Sequence, residues 1–376
     1  MYVDLKVFAL FDKSNQLDIL YMYYDIIYLV QVNHYTIIKI DNLNYQLNRH
    51  KMGIKHLNSY FRSKCTDYSI SQKHLSVYRN KKFVIDTSIY LYRFLSENAL
   101  IENMYFMISL FKYYNITPIF IFDGKPPVKK LDLLKKRKLE KHDAEIRYNE
   151  LLNQSEINKR TKTEMDLLYR KMIRIKDTHI KNIKKLMTDY GVQYYTSDGE
   201  ADDMCAYLIN TSKADYCLSD DTDMFLYNCP KVLRNISLIN HCVLEYDTVK
   251  ILQELNMTFD NFKDILVLSG TDYNLNQQLE LKTIIEYFRK YQDITTNLDF
   301  YDYLFQVENQ EINKKELEEI KNMYVINQKK CSYLNYKNDD IQTTDYNVLC
   351  TFLQSNGFIF YNKDDNKLPW KSSIPV

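Results

Sequence analysis

Seven carboxylates stand where apolar segments of the chain end or begin: Asp86, Asp123, Glu200, Asp202, Asp221, Asp223 and Asp272. Asp86 closes the run KFVID at 82–86, Asp123 follows TPIFIF at 117–122, and Asp221 and Asp223 come just after the run at 214–218. Short apolar runs of this kind read as buried strands. In an open α/β sheet the C-terminal ends of such strands face one crevice, where ligands bind. Glu200 and Asp202 fall at the start of a helical pattern and Asp272 just past another, so both groups can complete the cluster. Taken singly, each is more often a turn residue or a helix cap. Together, seven like charges in a partly desolvated site repel one another, and divalent cations are the natural counter-charge. Oxygen donors without nearby His or Cys favour Mg²⁺, or Mn²⁺, over Zn²⁺. Two such ions about 4 Å apart can activate a water and stabilise the leaving oxygen of a phosphodiester.

Basic residues follow the second strand. Lys130 and Arg137 are seven positions apart, nearly two helical turns, and share a face on a helix. With Lys125, Lys129, Lys135 and Lys136 they can grip phosphates, and Arg137 can neutralise charge developing on the scissile one. Tyr92, six residues past Asp86, reads equally as a base-stacking ring or a core aromatic on a helix. KKRK at 135–138 also has the composition of a nuclear-import signal, a pattern with many false positives.

The elements that must hold these groups read as alternating strands and helices. The first strand is followed by helical patterns at 89–95 and 102–114 and then by the second strand, a βαβ arrangement. Residues 131–186 are charged and helical, with Gly191 as a stop. Next come a strand at 193–195, a helix through Glu200 and Met204 with Ser197 and Asp198 as capping candidates, and the strand at 214–218. Asp247 caps a helix at 248–255, another runs from 259 to 268, and a third helical pattern covers 281–288. The expected fold is α/β, a mostly parallel central sheet with helices on both faces. The tail after about residue 287 is less readable.

Composition narrows the setting. The 376 residues, 45% hydrophobic, supply a globular core, and the net charge of +1 hides a stretch, 125–185, with about two basic residues for each acidic one. Such asymmetry points to a polyanionic partner. Seven cysteines form no C-x-x-C pair, which disfavours a zinc site or a disulfide framework and fits a reducing compartment. The apolar segment 19–32 is too short to span a bilayer, is broken by Asp25 and lacks a signal-peptide layout, so no membrane association or secretion is expected. Only six glycines occur, where an average composition of about 7% would give about 26. Five of them sit in MGI, FDGK, DYGV, DGEAD and SGTD, where a positive φ or a close backbone approach is expected.

MGIKHL at 52–57, VIDTSIYLYRFL at 84–95, IFIFDGKPP at 119–127, GEADDMCAYL at 199–208, LSDDTDMFLY at 218–227 and LSGTDYN at 268–274 together resemble the flap endonuclease/XPG family of structure-specific 5′ nucleases. The resemblance implies a PIN-like nuclease fold with a helical gateway and a C-terminal helical region. It implies that Asp86, Asp123, Glu200 and Asp202 hold one Mg²⁺ and Asp221, Asp223 and Asp272 the other, with Asp202 shared. It places Lys130 and Arg137 at the catalytic basic positions of the gateway, Tyr92 at the base-stacking tyrosine and Gly53 at the glycine that follows the initiator methionine beside the substrate. The implied partner is flap or junction DNA, the implied setting the nucleus, with the cytoplasm as an alternative, and the expected state a monomer.

Four regions follow: an extension at 1–51, nuclease regions at 52–153 and 154–290, and a C-terminal region at 291–376. Because a bulky extension at Gly53 would obstruct DNA, Met52 is expected to be the functional start, or residues 1–51 to be removed or to lie aside. The family's Gly-x-Gly duplex-binding hairpin is replaced by Asn274-Leu275-Asn276-Gln277-Gln278-Leu279, in which Asn can supply a left-handed turn at some cost. QSNGFIFY at 354–361 is only loosely similar to a sliding-clamp peptide, since Gly357 stands where an aliphatic anchor is wanted, and no clamp contact is assigned. The leading expectation is a Mg²⁺-dependent nuclease cutting DNA at single-strand/duplex junctions in replication, repair or recombination. The alternatives are a 5′ to 3′ exonuclease on DNA or RNA and a non-catalytic junction-binding protein on the same scaffold.

Overall fold

In the computed structural model, which describes residues 8–10, 53–154, 158–274, 279–294, 297–326 and 344–361, seven strands form one sheet. Their order is β2 (Ile70–His74), β8 (Cys242–Asp247), β7 (Lys231–Ser237), β6 (Tyr216–Leu218), β3 (Lys82–Asp86), β4 (Thr117–Phe122), β5 (Gln193–Thr196). From β7 across to β5 every pairing is parallel, and β8 runs antiparallel to both β7 and β2. The chain lays down β3, β4 and β5 in one direction, then returns to place β6 and β7 on the other side of β3. That reversal between β3 and β6 opens a crevice at the C-terminal ends of the strands. A separate parallel pair joins β1 (Phe8–Leu10) to β9 (Ile359–Tyr361). The rest of residues 1–52, Met52 included, lies outside the described residues.

Side chains alternate across the strands and build two cores. Phe83 and Ile85 face α2 (Thr87–Ser96), α3 (Leu100–Tyr113), α6 (Asp177–Asp189) and α13 (Tyr346–Ser355). Val84, Ile119 and Ile121 belong to the opposite core, with α1 (Leu57–Lys64), α7 (Ala201–Asn210), α9 (Phe259–Leu268), α10 (Leu281–Asp293), α11 (Phe300–Gln306) and α12 (Lys314–Met323). The mostly parallel sheet with helices on both faces is therefore the observed fold, and the described residues of the C-terminal region hold α11, α12, α13 and β9. Between β8 and α9 lies α8 (Thr248–Leu255), capped by Asp247, which accepts from the Lys250 N–H at 3.2 Å.

The charged stretch 131–186 forms three helices: α4 (Leu131–Leu152), α5 (Lys159–Met172) and α6. α4 and α5 pack on each other through Ala144, Leu151, Met165 and Leu168, a small core of their own. A fully buried large apolar side chain contributes about 1.5–3 kcal/mol, so this arm is held far less firmly than the sheet. α6 ends in a left-handed residue, Gly191 at φ 65°, with Gly191 N–H donating to Thr188 O at 3.0 Å and Val192 N–H to Met187 O at 2.8 Å. These two bonds satisfy carbonyls that the helix end would otherwise strand.

Several expectations need correction. Ser197 and Asp198 do not cap α7; its first N–H, on Ala201, donates to Asp123 Oδ1 at 2.8 Å, while Ser197 Oγ accepts from Gly199 N–H at 3.3 Å. β6 is shorter than the run at 214–218. Gly199 has no positive φ and open space where a Cβ would stand, so a turn there does not demand glycine. β2, β7 and β8 carry no readable alternation; in β7 the register shifts between Arg234 and Ser237, where Asn235 adopts φ 54°. Residues 275–278 of the altered hairpin lie outside the described residues. In the segment at 354–361, Phe358 is buried against Tyr105, with ring centroids 5.5 Å apart. Among the described residues no helix is long and apolar enough to cross a membrane, and six cysteines are free thiols.

Candidate active site

Strand β3 delivers Asp86 into the crevice and α2 begins at the next residue. Asp86 is therefore both a strand-end acid and a helix cap: its Oδ1 accepts from the Ser88 N–H at 3.2 Å, its Oδ2 from Ser219 Oγ at 3.3 Å. Ser88 Oγ donates to Asp123 Oδ2 at 2.5 Å, which ties the acid after β4 to the acid of β3. Gly124 carries the chain past the loop after β5, donating its N–H to Gly199 O at 2.7 Å; a Cβ on it would collide with the Ser197 carbonyl. That close approach sets Glu200, the N-cap of α7, beside Asp123, and Asp202 in the first turn. After β6, Asp221 opens a 3-10 turn at Thr222–Phe225 and accepts from the Asp223 N–H at 3.0 Å.

Gly53 lies against this turn. Its φ is 68°, and a Cβ there would collide with Thr222 Oγ1 and Asp221 Oδ1, so only glycine combines the left-handed backbone with the approach. The next N–H, on Ile54, donates to Thr222 Oγ1 at 2.6 Å.

Two cations from the base of the arm enter the crevice. Lys130, 9% exposed, contacts Glu200 Oε1 and lies 2.8 Å from Asp272 Oδ2. Burial works against its ammonium, but Asp272 and Glu200 outweigh that and hold it above the ordinary lysine range. Arg137, two turns along, places one guanidinium nitrogen 3.1 Å and 3.3 Å from the two oxygens of Asp272. Lys125 is exposed, its N–H donating to Asp198 O at 3.2 Å. Tyr92 is 42% exposed, which excludes the core-aromatic alternative, and Lys141 of α4 sits 4.8 Å from its ring centre.

The acids respond to one another. Burial, then the charges of Asp123 and Asp221, hold the Asp86 carboxyl well above the usual carboxylate range. Asp202 is raised by burial and then by Asp86, Asp221, Asp223 and Glu200; Asp223 by burial, Asp221 and Asp272. Asp221 is raised by burial and Asp272, against the Asp223 N–H, Lys130 and Arg234. Part of Asp202 and Asp221 reaches solvent, yet Asp202 Oδ1 and Asp223 Oδ1 are buried without a hydrogen-bond partner among the described residues. For scale, two like charges 4 Å apart cost about 4 kcal/mol at an effective dielectric of about 20. Among the described residues no three acids, histidines or cysteines stand in closed ligand geometry, Glu200 and Asp272 being engaged by Lys130 and Arg137. The all-oxygen donor set, the two bare oxygens and the mutual repulsion fit a hard divalent cation.

Further groups shape the site around the acids. Tyr273 donates to Glu200 Oε2 at 2.6 Å, and Tyr324, a hundred residues from the acid turn, donates to Asp223 Oδ2 at 3.0 Å. Buried Arg234 donates to the Asp220 carbonyl and stacks over Tyr246 at 5.4 Å. Tyr273 is legible as part of LSGTDYN, and Ser88 from its place two residues after a strand-end acid that caps a helix.

Comparison with known proteins follows these contours. The XPG N-terminal domain matches residues 52–144 and the XPG I-region residues 191–272. The flap endonuclease 1 of Methanococcus aeolicus is 30% identical over 300 residues, 74% of this chain and 85% of its own. That of Enterocytozoon bieneusi is 26% identical over 270 residues, 67% of this chain and 74% of its own. The catalytic core of Rad2 in complex with DNA substrate superposes with a TM-score of 0.53 at 22% identity, over 79% of this chain and 93% of that one. The Holliday junction-resolving enzyme GEN1, in complex with product DNA, Mg²⁺ and Mn²⁺, gives 0.53 at 15% identity, over 80% and 72%. At those identities the two structures establish a shared fold.

Proposed function

Since the chain belongs to the flap endonuclease/XPG family of structure-specific nucleases, we propose that it hydrolyses DNA phosphodiesters at single-strand/duplex junctions with the help of Mg²⁺. The observation that carries this reading is the acid crevice itself, where four neighbouring carboxylates with raised proton affinity include two oxygens that have no hydrogen-bond partner among the described residues. A pure binding protein gains nothing from such charge beside a polyanion. Asp86, Asp123, Glu200 and Asp202 would hold one ion and Asp221, Asp223 and Asp272 a second. When bound, the ions supply an activated water and stabilise the departing oxygen.

The protein's own residues do the rest. Lys130 and Arg137 reach the crevice from the arm, where their charges can meet a phosphate and the negative charge that grows on it. Tyr92 offers an exposed ring to a base next to the cut, with Lys141 beside it for the backbone. The backbone at Gly53 stays close to Asp221, so DNA would pass without meeting a side chain there. We place the activity in DNA replication, repair or recombination, in the nucleus, with the protein acting as a monomer.

The test is cleavage of labelled flap, gapped, blunt-duplex and RNA substrates with Mg²⁺ or with EDTA, beside Asp221→Ala. Junction cutting is expected with Mg²⁺ alone, and Asp221→Ala should lose more than about a thousandfold, beyond the 10–100-fold typical of outer-shell partners. Cutting that survives both EDTA and the substitution would sink the metal mechanism. Processive loss from free ends would select the exonuclease, and binding without cutting the scaffold protein.

A further inference from the structure

Tyr324 follows the C-terminal end of α12 and is 3% exposed. Its hydroxyl donates to Asp223 Oδ2, and the other oxygen of the same carboxylate is the one buried without a partner. We propose that Tyr324 is a positioning residue for the metal site: by holding Oδ2 it fixes the carboxylate plane of Asp223 and leaves Oδ1 as the oxygen offered to a divalent cation. The proposal rests on the reading that the crevice binds such an ion.

A carboxylate at the end of a short side chain turns freely about its last bond unless one oxygen is held. In a crevice already crowded with negative charge, a second carboxylate would repel it rather than hold it. A phenol can hold it, because it donates a hydrogen bond and brings no net charge. The ring is fixed as well as the hydroxyl. It meets Tyr227 edge-on at 5.2 Å and Tyr273 edge-on at 5.7 Å, and Tyr273 in turn donates to Glu200. Two touching tyrosines therefore steady one acid on each side of the crevice, Glu200 after β5 and Asp223 after β6.

What steadies Tyr324 lies outside the acid set. Lys263 of α9 donates to its carbonyl at 3.3 Å, Lys321 pairs with Asp264 at 2.6 Å, and Glu319 of α12 meets Lys129, next to Lys130, at 3.2 Å. The least readable part of the chain thus supplies a support that the strand-end motifs lack. Ligand-orienting partners of this kind typically change metal affinity 10–100-fold when removed.

Tyr324→Phe keeps the ring in its aromatic cluster and deletes only the hydroxyl; Tyr324→Ala deletes both. Mn²⁺ binding to the DNA-free full-length protein, followed by electron paramagnetic resonance, is the direct readout, with thermal melting in EDTA and the Mg²⁺ dependence of flap cleavage beside it. The Phe variant is expected to melt like the wild type, to bind Mn²⁺ about tenfold more weakly, and to need correspondingly more Mg²⁺ while recovering most of its rate at saturation. Wild-type Mn²⁺ affinity in Tyr324→Phe overturns the positioning role and leaves the nuclease reading intact. A Phe variant that melts as low as Tyr324→Ala also overturns it, because the hydroxyl would then be structural. A wild-type protein that binds no Mn²⁺ and cuts without metal overturns both.

Discussion

Asp223 in the crevice and Arg147 on the arm are both charged, yet they are kept in opposite ways. Asp223 is 4% exposed and one of its oxygens has no partner, whereas Arg147 is half in water and forms ion pairs with Glu150 and Glu164 at 3.1 Å and 3.0 Å. The same holds around each of them. Arg174, in the loop after α5, pairs with Glu145 of α4, while Lys135 pairs with Asp132 within α4 and Lys185 with Asp189 within α6, all three cations being exposed. Exposed pairs of this sort contribute about 0–1 kcal/mol. The basic stretch at 125–185 is therefore not one continuous phosphate-binding face: Lys135, Arg147 and Arg174 answer acids of the arm, and Lys130 and Arg137 are the members that turn to the acids of the crevice. Charge held bare and dry can act on a ligand, and charge already paired in water mainly keeps the arm soluble.

That distinction is broken most directly by comparing two arginines. Arg137→Ala should lower the cleavage rate about a hundredfold, the range seen when a charge-stabilising donor is removed from a reacting phosphate or oxyanion. Arg147→Ala should stay within about twofold, since only exposed pairs are lost. Equal losses in single-turnover assays would mean that the arm works as a whole and that pairing does not retire a charge. Tyr92 sharpens the boundary between the two regions, because it belongs to α2 but lies under Lys141 of the arm. Tyr92→Ala should weaken flap binding about tenfold, as base stacking is worth about 1–3 kcal/mol, while Tyr92→Phe should bind nearly as the wild type. Titration of labelled flap DNA in EDTA reads this apart from catalysis; a Phe variant as weak as Ala would assign the effect to the hydroxyl rather than to stacking.

The two regions also differ in how far the sequence discloses them. Asp86 and Asp123 are legible because each closes or follows a short apolar run that reads as a strand of a buried parallel sheet. Glycine scarcity is informative at Gly53, where φ and contact both forbid a side chain, and at Gly124, where contact alone does, but it misleads at Gly199. The hairpin of β7 and β8 hides because Asn235 breaks its alternation. Tyr324 hides for a deeper reason: its role depends on α12 folding back over a residue 101 positions earlier, and no local periodicity encodes that distance. On the arm, composition reports the charge and cannot report which charges are paired.

The smallest effect expected is also the cleanest probe of unpaired charge. Burial, then Asp86, Asp221, Asp223 and Glu200, raise the Asp202 carboxyl above its ordinary value in the folded protein. Below about pH 3.9, the ordinary value for an unfolded aspartate, both states hold the proton and the group does not affect stability. Above it the unfolded chain ionises first, so the folded state binds more protons and stability falls as pH rises, until the folded carboxyl ionises and the penalty levels off. Asp202→Asn escapes that penalty. In EDTA at pH 7 it should therefore melt about 2–4 °C above the wild type, with the gap closing near pH 4. Added Mg²⁺ should reverse the order, because an ion that binds only the folded wild type stabilises it by mass action and the amide is a poorer ligand. A variant that melts below the wild type in EDTA at pH 7 would mean that Asp202 is already neutralised by the protein, and the contrast between bare acids in the crevice and paired charges on the arm would then fail at an acid with a bare oxygen.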